Sequence, residues 1–471
     1  MYAALLQQQN DASLSISLYR ALIEAEEYPQ AAIVLAKLNR ETPQYARFSS
    51  SGGQKQPNWE RLKVDQTVAV DAAYRNHLAR SEALLEDMFN RAPRNLGLIN
   101  DYATVLRWRG LPQHADQISA IAATYEPQSP ATRINTANNA RELEQISRWS
   151  QTITALHQEL PSNSGVQKNY AAWLDRNRPS ISSELSLGKS SGEGNIIDVN
   201  GNRDREWATR VNTPWIMENW RGFVQHNNRW SDVGLTNIES NRLGAGVEWS
   251  SERRNAWLLM SQQLSEGNHA GVSAGWSQWL NDYWHYGVGV STDSDEIPLR
   301  ALENGLSAQS ANVSLKWRQS ESRSAYLKFG MLDIDDGNRR KTILLGGSQR
   351  LLEGDYSVTT GGMDLYTESN SRTGAGYYNP RNTVSANVRV RHNWVTWREY
   401  ERSLTQNFEV SSGVSREADF GSAPTLDLLY QHSWQLSRVW RLHYGIKWGT
   451  HTYDGNREGR VSGLLGFEGV F

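Results

Sequence analysis

The sequence predicts an α plus membrane-β protein. An α-solenoid of tetratricopeptide-like repeats over residues 1–179 precedes a 16-stranded antiparallel outer-membrane β-barrel over residues 180–471. Apolar residues recur with the helical period of about 3.6 in the first part, and they alternate with apolar-polar strand periodicity in the second. Pro93, Pro127 and Pro161 return every 34 residues. That interval is the tetratricopeptide period, so each proline is expected to close a pair of helices.

The helical part is expected to be periplasmic and to begin within the repeat array. Leu18 and Leu22 share one helical face, and Pro43 ends the first helix pair. No polar capping repeat opens the array, which predicts that further repeats precede it and that the array is incomplete at its N-terminus. A Ser- and Gly-rich stretch at about residues 47–60 predicts a flexible loop inserted between two repeats.

Strand periodicity begins at residue 180 and continues to the end of the chain. Sixteen segments can be counted, an even number as a single-chain bacterial barrel requires. Their expected starts are Ser182, Glu206, Gly222, Arg242, Ala256, Ala270, Tyr283, Ser310, Ser324, Lys341, Tyr356, Thr383, Ser403, Thr425, Val439 and Val461.

The connections between these strands alternate between short and long. Short turns are expected on the periplasmic side and long loops on the exterior, as in other barrels of this class. The last strand ends on an aromatic residue, Phe471, which we expect to close the barrel against the first strand and to anchor it at the lipid interface. The predicted long loops are 189–204, 292–308, 368–381, 416–424 and 451–459.

Tryptophan is unusually abundant, with 19 Trp against 8 Phe. Many of these residues lie beside the predicted short turns, where a ring of aromatic side chains would mark the membrane interface. The residues expected in this girdle are Trp215, Trp220, Trp257, Trp279, Trp284, Trp317, Trp394, Trp397, Trp434 and Trp440.

The composition argues against several classes of protein. A net charge of -2 gives no bulk attraction for nucleic acid, and the absence of cysteine excludes disulfides and thiolate sites. His443 and His451 share a strand face but lie about 26 Å apart, too far for one metal ion. No nucleophile and base occur in a supporting context, so we expect no catalytic residues, no metal, no cofactor and no enzymatic activity.

The strand pattern assigns polar residues to the lumen and acidic ones to the exterior loops. Carboxylates at the mouth would favour a cationic passenger. The pore-lining, polymer-contacting candidates are Glu248, Glu409, Asp427, Glu468, Arg389 and Arg391. The acidic exterior-loop candidates are Asp293, Asp295, Glu296, Asp333, Asp335 and Asp336.

Helical repeats fused to a sixteen-stranded barrel resemble the exopolysaccharide export porins, and the barrel from Ser182 to the terminal residues 466–471 carries the resemblance best. Within that family the sequence is similar to the exporters of poly-β-1,6-N-acetyl-D-glucosamine (PNAG). The resemblance implies export of partly de-N-acetylated PNAG for biofilm formation, with the repeats recruiting a periplasmic deacetylase or the polymer.

The same resemblance implies a monomeric barrel in outer-membrane lipid, with Phe471 recognised by the barrel assembly machinery. Two other functions stay open at this point. The chain could export another exopolysaccharide such as cellulose, or the barrel could be only an anchor for a periplasmic scaffold.

Overall fold

The computed structural model of the chain describes residues 11–47, 53–192, 202–233, 236–265 and 268–471. The chain divides into two compact units. One comprises Met1–Asn139 with Glu353–Tyr356, and the other comprises Ala140–Leu352 with Ser357–Phe471. Helices give way to strands at Ser180, as the sequence predicts. Within the described residues, no helix has the length and apolar character needed to cross a membrane.

The helical part consists of consecutive helix pairs, which confirms the predicted tetratricopeptide-like organisation. Pro43, Pro93, Pro127 and Pro161 each follow the second helix of a pair, where a residue without a backbone N–H cannot continue the helix. The helices are α1 Ala12–Glu24, α2 Tyr28–Glu41, α3 Trp59–Tyr74, α4 Leu78–Arg91, α5 Leu96–Trp108, α6 Pro112–Tyr125, α7 Pro130–Glu142, α8 Ile146–Glu159 and α9 Ser164–Arg176.

The predicted insertion differs in detail from a loop. Its described residues include a short antiparallel hairpin, β1 (Tyr45–Arg47) paired with β2 (Lys55–Pro57), while residues 48–52 lie outside the described residues. The insertion also ends before residue 60. Asn58 caps α3 by accepting a hydrogen bond from the backbone N–H of Glu60, so the helix begins at Trp59.

Buried polar residues replace an apolar core where α5 meets α7. Asn100, Thr132 and Asn135 are nearly inaccessible to solvent. The Asn135 side-chain amide donates to the backbone carbonyl of Asn100 at 3.0 Å, and the Asn100 amide donates to the Thr132 hydroxyl at 3.2 Å. These bonds satisfy groups that would otherwise be costly to bury, which is how the weakly apolar α7 packs into the array.

The barrel is closed and contains all sixteen predicted strands. The largest differences from the predicted starts are at β6, which begins at Thr236 rather than Arg242, and at β18, which begins at Asn456 rather than Val461. The strands are β3 Ser180–Gly192, β4 Arg203–Asn212, β5 Trp220–Val233, β6 Thr236–Ser251, β7 Arg254–Gln263, β8 Ala270–Trp279, β9 Trp284–Ser291, β10 Ala308–Arg318, β11 Arg323–Ile334, β12 Arg339–Glu353, β13 Ser357–Asn370, β14 Asn382–Glu399, β15 Arg402–Glu417, β16 Gly421–Gln435, β17 Trp440–Tyr453 and β18 Asn456–Val470.

The last strand closes the barrel, as its sequence predicts. Strand β18 pairs antiparallel with both β17 and β3, and Val470 lies opposite Ser180 in the β3 register. Beyond this pair the backbone N–H of Phe471 donates to the carbonyl of Pro179 at 3.1 Å. The hydrogen-bonded ladder therefore runs to the end of the chain, and no free strand edge remains at the junction.

Two of the predicted long loops are wrong, because their strands run further than expected. Residues 418–420 alone join β15 to β16, and residues 454–455 alone join β17 to β18. Asp454 and Gly455 have φ values of 48° and 78°, the left-handed conformations of a tight hairpin turn. The long connections that the structure describes span residues 292–307 and 371–381, while residues 193–201 of the first predicted loop lie outside the described part.

The tryptophan girdle is only partly as predicted. Trp220, Trp284 and Trp394 are 49%, 40% and 46% exposed on the outer face, as an interface girdle requires. Trp257 instead faces the lumen, because it alternates with the outward-facing residues of β7. Trp279 also faces inward, where the guanidinium groups of Arg253 and Arg318 lie 4.6 Å and 4.3 Å from its ring.

Candidate functional site

The inner wall of the barrel is the candidate site, and strand alternation builds it. On β14, Val388 and Val390 are 62% and 45% exposed on the lipid side, so Arg389 and Arg391 point into the lumen. The same alternation places every predicted lumenal residue on the inner face. These residues are Glu248, Glu409, Asp427, Glu468, Arg389 and Arg391.

Many of the lumenal charges occur as pairs across neighbouring strands. Arg391 donates to Glu409 at 2.6 Å, and Arg389 forms an ion pair with Asp364 at 3.1 Å. The register places each of these partners on an adjacent strand. The wall therefore carries positive and negative side chains next to each other, and it is not a uniformly acidic surface.

Further pairs continue this pattern towards β18. Arg441 donates to Glu468 at 2.7 Å, and Asp427 lies 3.3 Å from both Lys447 and His451. The Arg441 and Glu468 side chains are 63% and 52% exposed, so this pair is open to the aqueous lumen. A solvent-exposed ion pair is weak, at about 0–1 kcal/mol, and can exchange partners readily.

Glu248 is different from the other lumenal carboxylates because it is 8% exposed. It accepts hydrogen bonds from Arg210 at 2.6 Å, from Arg221 at 2.8 Å and from Asn255 at 2.8 Å. Its oxygens therefore link β6 to three other strands of the wall, β4, β5 and β7. This arrangement gives Glu248 a structural role and leaves it little access to a passenger.

Residues 292–307, which we call the infolded loop, enter the lumen between β9 and β10. Asp293 pairs with Arg242 at 2.8 Å, and the Asn227 amide donates to Asp295 at 3.0 Å. Arg229 also donates to the carbonyl of Ile297 at 3.0 Å. These partners are inward-facing residues of β5 and β6, so the loop crosses the inner wall of β7 and β8 to reach them.

A small apolar core holds the infolded loop in place. Ile297, Ala301 and Leu302 are almost fully buried, the last two within the short helix α10 (Leu299–Glu303). They pack with barrel residues and with Tyr377 from the other long connection. Burial raises the pKa of the Tyr377 hydroxyl, and burial with the neighbouring charge of Asp295 raises the pKa of Glu296.

Several carboxylates of the predicted acidic mouth are engaged by neighbouring groups. Asp293 is 4% exposed, because the buried Arg242 guanidinium holds it. Asp333 accepts from Arg339 at 2.7 Å, Asp335 accepts from the Ser307 hydroxyl, and Asp336 accepts from the Tyr377 hydroxyl at 3.0 Å. These four carboxylates are thus paired or hydrogen-bonded within the loop network, which reduces the field they present to a passenger, whereas Asp295 and Glu296 are exposed.

The repeats contain a polar cavity of about 520 Å³, which is lined by α1 and α3 and by Asp101 of α5. Tyr19 donates to Asp71 at 2.9 Å, and Gln66 donates to Asp101 at 2.7 Å. Burial raises the pKa values of both carboxyls. The carboxylate of Asp101 and the ring of Tyr74 both line the cavity.

Comparison with known proteins identifies the barrel. The family described as the PgaA membrane β-barrel domain matches residues 181–468. This chain belongs to that family. The family resemblance seen in the sequence is confirmed, and membership places the barrel in the outer membrane.

Relatives of this PgaA-family chain include the poly-β-1,6-N-acetyl-D-glucosamine export proteins of Escherichia coli strains K12 and O157:H7. Each is 29% identical over 451 residues, which cover 94% of this chain and 54% of the relative. The chain thus spans about half the length of these relatives. A solved bacterial polysaccharide outer membrane secretin is 27% identical, with a TM-score of 0.58, over 63% of this chain and 99% of that one.

Sequence reasoning missed two features of this PgaA-family lumen. The infolded loop depends on contacts with β5 and β6, which no local pattern reveals. The inward position of Trp257 could have been found, since it alternates with Leu258 and Met260 in the wrong phase for the lipid face.

Among the residues that the structure describes, no cluster of three or more His, Cys, Asp or Glu side chains could hold a metal ion.

Proposed function

We propose that this chain exports partly de-N-acetylated PNAG through the barrel lumen and so supports biofilm formation. The observation that carries the proposal is a closed sixteen-stranded barrel whose inner face is polar, in a chain similar to PNAG export proteins over both the repeats and the barrel. A polar wall suits a hydrated polysaccharide, because sugar hydroxyls and the wall can both keep their hydrogen bonds to water.

The ion pairs of the wall give a physical route for a cationic polymer. Removal of N-acetyl groups leaves amines that are protonated at neutral pH. Such an ammonium can compete with Arg441 for Glu468, because that pair is exposed and weak, or with Lys447 for the partly exposed Asp427. Passage then proceeds by exchange among many shallow sites, which avoids trapping the polymer at one deep site.

The repeats are proposed to lie in the periplasm and to recruit the deacetylase or the polymer. Stacked helical repeats commonly bind partners along the face formed by their first helices. Here that face carries the polar cavity with Asp101, and it carries the ring pair Tyr74 and Trp108, whose centroids are 5.9 Å apart. Acidic groups beside exposed aromatic rings suit an amino-sugar polymer.

Several further parts of the proposal concern the membrane. The barrel is proposed to be a monomer in contact with outer-membrane lipid, and Phe471 is proposed to be read by the barrel assembly machinery. The chain is proposed to act in transport without catalysis, since the lumenal carboxylates described above are held in ion pairs rather than arranged as an acid and a base.

The proposal is tested in cells that make PNAG but lack their own exporter. The measurement is extracellular PNAG with the full chain, with residues 180–471 alone, or with neither. Export by the full chain and weak export by the barrel alone would support both the pore and the recruiting role. PNAG retained in the periplasm in every strain would contradict the proposal. Secretion of cellulose in place of PNAG would favour the alternative passenger. A barrel that conducts no ions in a planar bilayer would favour the alternative in which it only anchors a periplasmic scaffold.

A further inference from the structure

The ring of Trp257 lies against the lumenal wall at Gly275, a position without a side chain. A Cβ added at Gly275 would lie 2.5 Å from the indole nitrogen of Trp257, a separation that no ordinary contact tolerates. Glycine at this position therefore lets the indole approach the backbone of β8. Trp257 follows the outward Ala256 and precedes Leu258, which is 40% exposed to lipid, so its ring belongs to the inner surface.

The ring forms one wall of a cavity of about 270 Å³ on the inside of β4–β8. Phe223 and Leu259 add apolar surface, and much of the remaining lining is polar, from the wall and from the infolded loop: Arg210, Gln225, Asn227, Ser261, Ser273 and Asp295. The infolded loop crosses β8 at Gly271, where Asp293 lies over the strand. Gly271 is four residues from Gly275, a distance of about 13 Å along the strand. The cavity thus runs along the strands, in the direction that a passenger would travel.

The chemistry of this cavity matches one sugar unit. The face of an indole attracts the polarised C–H bonds of a pyranose and, more strongly, a nearby ammonium group. Amide and hydroxyl side chains beside it can bond sugar hydroxyls. Asp295 is exposed and is oriented by the Asn227 amide, so it can accept from an amine. The neighbouring Phe223 offers no second platform, because the Arg210 guanidinium covers its ring at 3.7 Å.

We infer that this cavity, which we call the Trp257 subsite, binds one hexosamine unit of the polysaccharide during its passage. The inference rests on the proposed function, because it takes the polymer class from that proposal. It adds a defined residue contact, an aromatic platform beside the exposed Asp295 carboxylate, to a lumen in which many charges are paired across strands.

The test is calorimetric titration of the full chain in detergent with a β-1,6-linked glucosamine hexamer and with its fully N-acetylated counterpart. Trp257→Ala should weaken binding of both by about tenfold, as expected for loss of an aromatic contact. Trp257→Phe should retain most of the affinity. Asp295→Asn should weaken binding of the glucosamine hexamer alone, because only that probe carries amines. Trp394→Ala, which removes a lipid-facing ring, is the matched control and should bind both hexamers as the parent does.

Heat-modifiable migration on gels checks that each variant is folded. If Trp257→Ala does not fold, Gly275→Ala takes its place, because the added methyl must displace the indole without removing it. Equal affinities of the parent and the Trp257 or Gly275 variant would overturn the subsite, and so would undetectable binding by the parent. Secretion separates the two proposals: binding that depends on Trp257 without PNAG export would support the subsite and overturn the export function.

Discussion

Removing the infolded loop should widen the channel. The loop connects β9 and β10 but reaches β5 and β6, so it must occupy part of the lumen at one end. Replacement of residues 294–306 by a short Gly-Ser linker leaves both flanking strands intact. We expect this deletion to raise the single-channel conductance of the full chain in planar bilayers.

The size of the effect follows from the barrel geometry. Sixteen strands about 4.8 Å apart and tilted by about 40° give a circumference of about 100 Å and a backbone diameter of about 32 Å. Inward side chains reduce the open width to about 20 Å. One helix with its side chains is about 10 Å across and so fills about a quarter of that area. Deletion should therefore raise conductance by about one-third or more.

Point variants should loosen the loop in stages. The Arg242 and Asp293 side chains are 7% and 4% exposed, and removing one partner of a buried pair costs about 3–5 kcal/mol. Leu302 is 1% exposed, and its truncation costs about 2–5 kcal/mol. We expect either anchor alone to hold the loop. The double variant Asp293→Ala with Leu302→Ala should show fluctuating currents between the parent and deletion levels.

The matched control is Glu303→Ala, which alters an exposed residue of the same helix α10 and should leave the conductance unchanged. A deletion variant that inserts and folds normally but conducts as the parent does would refute the reasoning. It would mean that the loop does not obstruct the ion path, despite its contacts with the inward-facing residues of β5 and β6.

Three other predictions concern stability and assembly. Glu248→Ala should lower the free energy of unfolding by about 2–4 kcal/mol in urea titrations in detergent, because Arg210 and Arg221 lose their partner. Arg441→Ala removes one partner of an exposed pair and should lower the free energy of unfolding by less than about 1 kcal/mol. Burial raises the pKa of Asp101 above its ordinary 3.8, so its stabilising contribution is present below pH 3.8 and is lost as pH rises through the folded pKa. Asp101→Asn, which can still accept from Gln66, should therefore raise the melting temperature of the helical signal at pH 7 and flatten its pH dependence; a lower melting temperature at pH 7 would contradict this. Deletion of Phe471 should slow the appearance of heat-modifiable barrel in cells, and an unchanged rate would exclude a role in assembly.

The strands were predictable from sequence because the two faces of a barrel meet different solvents. Lipid on one side and water on the other force the alternation seen around Arg389 and Arg391, and parity then fixes which side chains point inward. The strand ends were less predictable. Residues 416–424 and 451–459 are polar and resemble loops, yet they extend two hairpins, because backbone pairing continues beyond the apolar band.

The candidate site was less accessible to sequence reasoning than the fold. Asp293 and Asp295 have the composition of an exposed acidic loop, and only the approach of Arg242 and Asn227 from strands far apart in sequence shows that they turn inward. For Trp257 the reason is different. Its position next to a turn is typical of an interface girdle. The alternation of side chains along the strand is the stronger physical constraint, and it places the ring in the lumen.

The most direct test of the account is efflux of a labelled, partly de-N-acetylated β-1,6-glucosamine oligosaccharide from liposomes that contain the purified full chain. The account predicts release that is absent from protein-free liposomes, faster in the loop deletion and slower in Trp257→Ala. Retention of the oligosaccharide by liposomes whose protein is folded and conducts small ions would contradict the central claim that the barrel is the conduit for the polymer.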